Sequence, residues 1–270
     1  MRQTFAAGGF AAPDCEFLYL DNSAGNRFDA YAGYNLFLRA ARGEYVILCH
    51  QDVQLLSDGR DRLDAVIAEL DKLDPRWGLF GNAGGLRSGA VAIRISDAGH
   101  GDDVAHGGPF PVACQTLDEN FIVVRGVANL ALSADLSGFH MYGTDICAVA
   151  ALLGYTAYVV DFHLRHADVG IVPDVFAGQA VNLVNKYART MWPVVLTTTC
   201  TRIVITPFPF FNRIGNTKQG LRVIRLAARV ASVALRWMGL KRRRTDGFVT
   251  PPPTTPAKPR ESPSHPQRTS

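Results

Sequence analysis

Tyr45-Val46-Ile47-Leu48-Cys49-His50-Gln51-Asp52-Val53 decides how this chain is read. Five apolar, largely β-prone residues run into a polar triplet that ends in a carboxylate. A continuous apolar run of this kind, bounded by Gly43 and by polar residues, predicts a buried strand of a parallel sheet. In open α/β sheets the ligand crevice lies beyond the carboxyl ends of the strands, and Asp52 falls there. A hard oxygen ligand in that place suits Mg²⁺ or Mn²⁺, metals that proteins hold through one or two carboxylates and substrate phosphates. Asp is equally at home in a turn before a helix, so the weight of Asp52 depends on its surroundings.

On the amino-terminal side, residues 16–20 (EFLYL) predict a short strand ending in Asp21-Asn22-Ser23. Phe28, Tyr31, Tyr34 and Leu38 then recur at helical spacing, predicting an amphipathic helix over 28–42 stopped by Gly43. Strand, carboxylate loop, helix, strand, carboxylate loop is a βαβ pattern and an α/β fold. On the other side, Leu63, Val66, Ile67, Leu70 and Leu73 make one helical face, with Ser57 or Asp58 as cap and Pro75 as stop. Residues 77–80 and 91–95 read as strands. Asp97, His100, Asp102, Asp103 and His106 are metal-ligating types, but their irregular spacing reads as a solvated loop.

Further on, Asp118 and Glu119 precede another apolar strand. Asp145 lies at the start of a helix predicted over 146–153, where the helix dipole favours its ionised form. That suits a base or a capping residue alike. Residues 155–162 predict a strand running into His163 and His166. Residues 175–189 read as helix, and 207–211 (PFPFF) as an apolar loop packed on the body. Residues 217–240 form an amphipathic helix with Leu221, Ile224, Ala228, Ala231, Leu235 and Met238 on one side and Arg222, Arg225, Arg229 and Arg236 on another. A basic run, Lys241 to Arg244, follows, and the Pro-, Ser- and Thr-rich 250–270 is expected to be disordered.

The composition sets outer bounds. The 270 residues are 47% hydrophobic and 19% charged, with a net charge of +4 whose excess sits largely near the carboxyl terminus. The body is near neutral, which argues against a nucleic-acid footprint. The five cysteines show no paired spacing, which points to a reducing compartment rather than a disulfide framework. The first residues lack the apolar core of a signal peptide, and no apolar run is long enough to span a bilayer. A cytoplasmic protein, peripheral to the inner face of the cell membrane, is the expectation. The arginine-faced helix suits anionic lipid headgroups and equally a helix packed on the body with its arginines in water.

Taken in order, these elements resemble a glycosyltransferase of the GT-A fold, in the large family 2 of inverting enzymes. Asp21-Asn22-Ser23 resembles the family's second-strand motif. Asn35 and residues 40–45 resemble its helix-and-turn segment, and His50-Gln51-Asp52 stands where the family has its DxD. Asp118 and Glu119 resemble the acceptor-side segment, Gly143-Thr144-Asp145 the catalytic-base motif, and His166 a histidine after the next strand. The resemblance implies a GT-A, Rossmann-like mixed sheet flanked by helices with a C-terminal helical extension. It also implies a domain over 1–170 shortened at its N-terminus, a part over 171–216 packed on it, the basic helix over 217–244 and a tail over 245–270.

In that reading Asp52 and His166 hold Mg²⁺ or Mn²⁺ and Asp145 is the base. Asp21, Asn35, Gln51, Asp118 and Glu119 bind a nucleotide-diphosphate sugar and a glycan or lipid-linked acceptor. Two departures stand out: His50 replaces the first Asp of DxD, and the strand expected before residue 16 is not legible. Two rivals follow, a nucleotide-sugar-binding protein without catalysis and a metal-dependent hydrolase using His50, Asp52, His163 and His166.

Overall fold

The computed structural model describes residues 1–237 apart from 12, 24, 26, 168–172 and 189–192. In chain order the elements are α1 (Arg2–Ala7), α2 (Ala30–Ala40), β1 (Tyr45–Cys49), β2 (Val53–Leu55), α3 (Arg60–Leu73), β3 (Trp77–Gly81), β4 (Ala83–Gly85), β5 (Val91–Asp97) and β6 (Gly101–His106). They continue with β7 (Val112–Cys114), β8 (Thr116–Leu117), β9 (Phe121–Arg125), α4 (Tyr142–Leu152), β10 (Thr156–Val159) and β11 (Leu164–His166). Last come α5 (Pro173–Tyr187), β12 (Val194–Thr197), β13 (Arg202–Ile205), α6 (Pro209–Gly215) and α7 (Lys218–Trp237). Residues 1–227 form one compact unit; 228–270 form a second, of which only 228–237 are described, as helix.

This is an α/β protein with mixed sheets flanked by helices, compatible with a Rossmann-like frame. The first sheet runs β1-β9-β3-β10-β7, and the second runs β2-β11-β5-β4-β8 with β6 beside β5. β12 and β13 form a hairpin. The apolar run at 45–49 is indeed a strand, but not one of a parallel sheet. β1 pairs antiparallel with β9, and β9 antiparallel with β3. Among the described pairings β1 is an edge strand, and most of it is only half-buried.

The full burial expected of β1 belongs to its neighbours. β3 is buried at every position. In β9, Ile122 and Val124 face one core while Phe121 and Val123 face the other, the period-2 signature of a strand covered on both sides. Phe121 stacks on Phe162 at 5.2 Å and 14°, and both are fully buried. Each such ring is worth about 2–3 kcal/mol relative to an exposed one.

Several expectations need correction. Residues 16–20 are not paired in any sheet; Glu16 instead accepts from Arg42. α2 starts two residues late because Asp29 caps it, accepting the Ala32 N–H at 2.8 Å. α3 has no side-chain cap and begins after Gly59. Asp58 accepts the His163 N–H at 2.6 Å instead. Residues 101–106 are a strand rather than a loop, with Asp102 on Arg165 and Asp103 on Arg94. The PFPFF segment enters a short helix and leaves its phenylalanines exposed, so it is not a loop packed on the body. The predicted helix over 217–240 is observed as Lys218–Trp237. Residues 238–244 and the tail over 245–270 lie outside the described residues.

The sheets are joined by close backbone approaches. A Cβ on Gly85 would fall 1.6 Å from the Thr197 carbonyl oxygen, so only glycine lets the β12–β13 hairpin rest on β4. Thr116 Oγ1 donates to the same oxygen at 2.6 Å. No described helix is long and apolar enough to cross a membrane.

The buried His163 gives the fold a pH dependence. Its Nε2 lies 2.9 Å from Ser96 Oγ. Burial first, and Arg94 second, hold its pKa below the ordinary imidazole value of 6.5. The folded chain therefore resists a proton that the unfolded chain accepts. The stabilising effect is full above about pH 6.5 and is lost as pH falls toward the folded value. The expected result is a thermal midpoint that falls from pH 7.5 to pH 5, with a shallower fall in His163→Gln. An equal slope in both chains would assign the effect elsewhere.

Candidate metal centre

The strand pairings bring the site together. β1 pairs with β9 so that Cys49 faces Phe121. His50, one residue on, donates its N–H to the Asn120 carbonyl at 3.0 Å. The chain then turns through Gln51 and Asp52 into β2, which pairs antiparallel with β11 so that Val53 faces His166. The Ala167 N–H donates to the Asp52 carbonyl at 3.3 Å. Two sheets thus meet at one turn, and His166, more than a hundred residues downstream, lies beside Asp52.

His166 Nε2 is 3.4 Å from His50 Nδ1 and 3.4 Å from Asp52 Oδ2. One ligand atom from each of the three residues lies within 4.8 Å of the others, and all three residues are half-buried. Among the described residues no other group of His, Cys, Asp and Glu converges in this way.

Tyr142 fixes the form of His50. Its hydroxyl is 2.6 Å from His50 Nε2 and 2.7 Å from the Glu119 carbonyl oxygen. A phenol has one proton to give, and the carbonyl can only accept. Both short contacts are satisfied only if Tyr142 donates to Glu119 and His50 Nε2–H donates to Tyr142. His50 then keeps a bare lone pair on Nδ1, which faces His166. Burial, and next the neighbouring His166, push the His50 pKa down, which favours the neutral imidazole, the form that ligates metals.

Tyr142 opens α4 and is 1% exposed. The helix comes this close because residue 143 is glycine: a Cβ there would sit 2.3 Å from the Leu117 carbonyl oxygen. Replacing Tyr142 by Phe is expected to free both tautomers of His50 and to weaken metal binding about 10- to 100-fold. Isothermal titration on a chain with unchanged melting would measure it. Unchanged affinity would show that the tautomer is set by another group.

The Glu119 carbonyl is tied to His50 through Tyr142. Burial raises the Glu119 carboxyl pKa, and His140, with Nδ1 3.8 Å from Glu119 Oε2, opposes that rise. Asp118 accepts from Thr199 Oγ1 at 2.9 Å and from the Asn120 N–H at 3.2 Å.

The other residues singled out in the sequence lie in different settings. Gln51 is exposed in the turn. Asp21 is exposed and accepts the Ser23 N–H at 2.8 Å; its hydrogen bonds to Ser23 lower its pKa. Asn35 bonds both the N–H and the carbonyl of Leu132 at 2.9 Å, clamping the 132 segment to α2. Asp145 is fully buried. It accepts from the Ser133 N–H at 2.7 Å, Ser133 Oγ at 2.6 Å and Tyr187 OH at 2.6 Å. His163 is not among the converging ligands, so the four-residue metal set of the hydrolase alternative is not assembled. Tyr142, Asn120 and His140 carried no signal in the sequence. His50 did, through its place at a strand end two residues from Asp52.

No family model matches the chain. It is 37% identical over 193 residues to ATP synthase subunits region ORF 6 of Fuscovulum blasticum, across 69% of this chain and 77% of that protein. That relative is not named as a glycosyltransferase. The finding overturns the expectation of an inverting sugar transferase drawn from the ordered motifs, and with it the nucleotide-sugar and hydrolase alternatives. The motifs are short, and three of them are also accounted for by local structure: Asp21 by a turn, Asn35 by a clamp, Asp145 by a buried hydrogen-bond set. Identity of this degree over more than three quarters of the relative places the chain in the family of ATP synthase subunits region ORF 6.

Proposed function

We propose that the chain is a divalent-metal protein in which His50, Asp52 and His166 hold the ion, on a GT-A-like frame. The carrying observation is the pair of 3.4 Å separations from His166 Nε2 to His50 Nδ1 and to Asp52 Oδ2. Ligand atoms about 2.0–2.1 Å from a tetrahedral Zn²⁺ lie roughly 3.3–3.4 Å apart. The two edges have that length. Two imidazoles and a carboxylate favour Zn²⁺, Mn²⁺ or Fe²⁺ over Mg²⁺, which prefers oxygen throughout.

Three protein ligands leave a coordination position open, the arrangement of a catalytic rather than a structural metal site. Bound there, the metal supplies Lewis acidity toward an oxygen donor of a small molecule. The chain's own residues do the rest. Tyr142 orients His50 through the 2.6 Å contact to Nε2. The reading is of a metal-dependent enzyme. Titration of Zn²⁺ and Mn²⁺ into the whole chain and into His166→Ala tests it.

A further inference from the structure

The segment after the β12–β13 hairpin presents aromatic rings to water. Phe208, Phe210 and Phe211 are 58%, 66% and 57% exposed. They meet edge to face, with ring centroids 6.0 Å apart for Phe208 and Phe211 and 5.7 Å for Phe210 and Phe211. Ile214, Val223 and Leu226 are exposed beside them in sequence. This is not a fraying end. Asn212 accepts the Thr206 N–H at 2.6 Å and donates to the Thr206 carbonyl at 2.8 Å. Asn216 makes the same pair of bonds to Val204, at 2.9 and 2.8 Å. The fold tethers α6 to β13 and holds the rings outward. Apolar exposure of this extent marks an interaction surface.

The charge along this part of the chain has one sign. From residue 175 to 245 the chain has no Asp or Glu and thirteen Lys and Arg. Arg213, Lys218, Arg222 and Arg225 alternate with the exposed apolar residues and are themselves exposed.

We propose that α6 and the first turns of α7 dock the chain on an anionic lipid bilayer. Shallow insertion of aromatic side chains beside a cationic face is the chemistry of a peripheral membrane contact, and anionic headgroups attract each cation within a Debye length. The pattern fits a bilayer better than an acidic protein. A fluid acyl boundary takes up separate side chains without a matching pocket for each, and anionic headgroups spread over a surface meet a row of cations without a shaped partner for each. No described helix can cross the bilayer, so the contact lies on the surface. The proposal is independent of the metal centre.

Co-sedimentation of the full chain with vesicles of phosphatidylcholine, alone or with about a third phosphatidylglycerol, tests it. Binding to the anionic vesicles is expected to be at least about tenfold tighter, and to weaken in high salt. Phe210→Ser with Phe211→Ser keeps every cation, including Lys241 to Arg244, and is expected to lower partitioning about tenfold or more. Arg213→Glu with Arg222→Glu is expected to do the same. All four side chains are exposed, so both variants should melt as the parent does. Equal binding to both vesicle types, binding to neither, or full binding by the phenylalanine variant would each overturn the proposal; the last would mark a site for a generic polyanion.

Discussion

His166→Ala is expected to bind Zn²⁺ or Mn²⁺ at least about a hundredfold more weakly than the parent chain. Loss of a group that only orients a ligand costs about 10- to 100-fold, and loss of the ligand itself costs no less. His166 is also the hub: its Nε2 is the atom 3.4 Å from both other ligand atoms, so its removal takes away both of those edges. Without metal the variant should melt close to the parent, because His166 ends a short, partly exposed strand. With metal, the parent should gain thermal stability by mass action and the variant should not. The affinity of the parent should fall with pH, since protonated imidazoles do not ligate. Tight binding that survives the substitution, or no binding by the parent, would remove the metal centre from consideration.

Asp145→Ala is expected to cost about 3–5 kcal/mol of stability and roughly 10 °C in the thermal midpoint. The carboxylate is fully buried, and its two oxygens take three hydrogen bonds, from the Ser133 N–H, Ser133 Oγ and Tyr187 OH. Alanine strands those three donors away from water, and the Ser133 N–H cannot turn to find another acceptor. Asp145→Asn should cost less. Its amide oxygen can stay on Ser133 N–H while its NH₂ donates to the two hydroxyls, which rotate. Metal affinity should be unchanged in either variant, since Asp145 is not among the converging ligands. A melt of Asp145→Ala that matched the parent would show that the 133–145–187 set contributes little. A large loss would identify Asp145 as the tie between α4, α5 and the 132 segment.

Local sequence determined the parts that depend on neighbours along the chain. The apolar spacing of Leu63, Val66, Ile67 and Leu70 located α3, and all four are buried. The apolar runs at 45–49 and 77–80, and the one that follows Asp118 and Glu119, located strands. The place of Asp52 just past a strand end was legible, because a polar residue after an apolar run must sit at the rim of a sheet. The order of the strands was not legible. β9 is inserted antiparallel between β1 and β3, a choice made by side-chain packing on both faces and by register, which no local pattern encodes.

Residues 16–20 show the same limit from the other side. Their β propensity is real, but a strand exists only where a partner supplies the opposite hydrogen bonds, and none pairs with them here. The PFPFF segment departs from its hydrophobic pattern because hydrophobicity reports a cost of exposure, not where the backbone is tied. Asn212 and Asn216 tie it with the rings facing out. The proposed metal centre belongs to this second class throughout. His50 and Asp52 are sequence neighbours, but His166 reaches them only through the β2–β11 register. The lone pair His50 offers is set by Tyr142, ninety-two residues away. Sequence determined which donors exist. Which of them share one point in space was decided by the pairing of two sheets, because hydrogen-bonded register fixes distances between residues that the chain itself leaves unrelated.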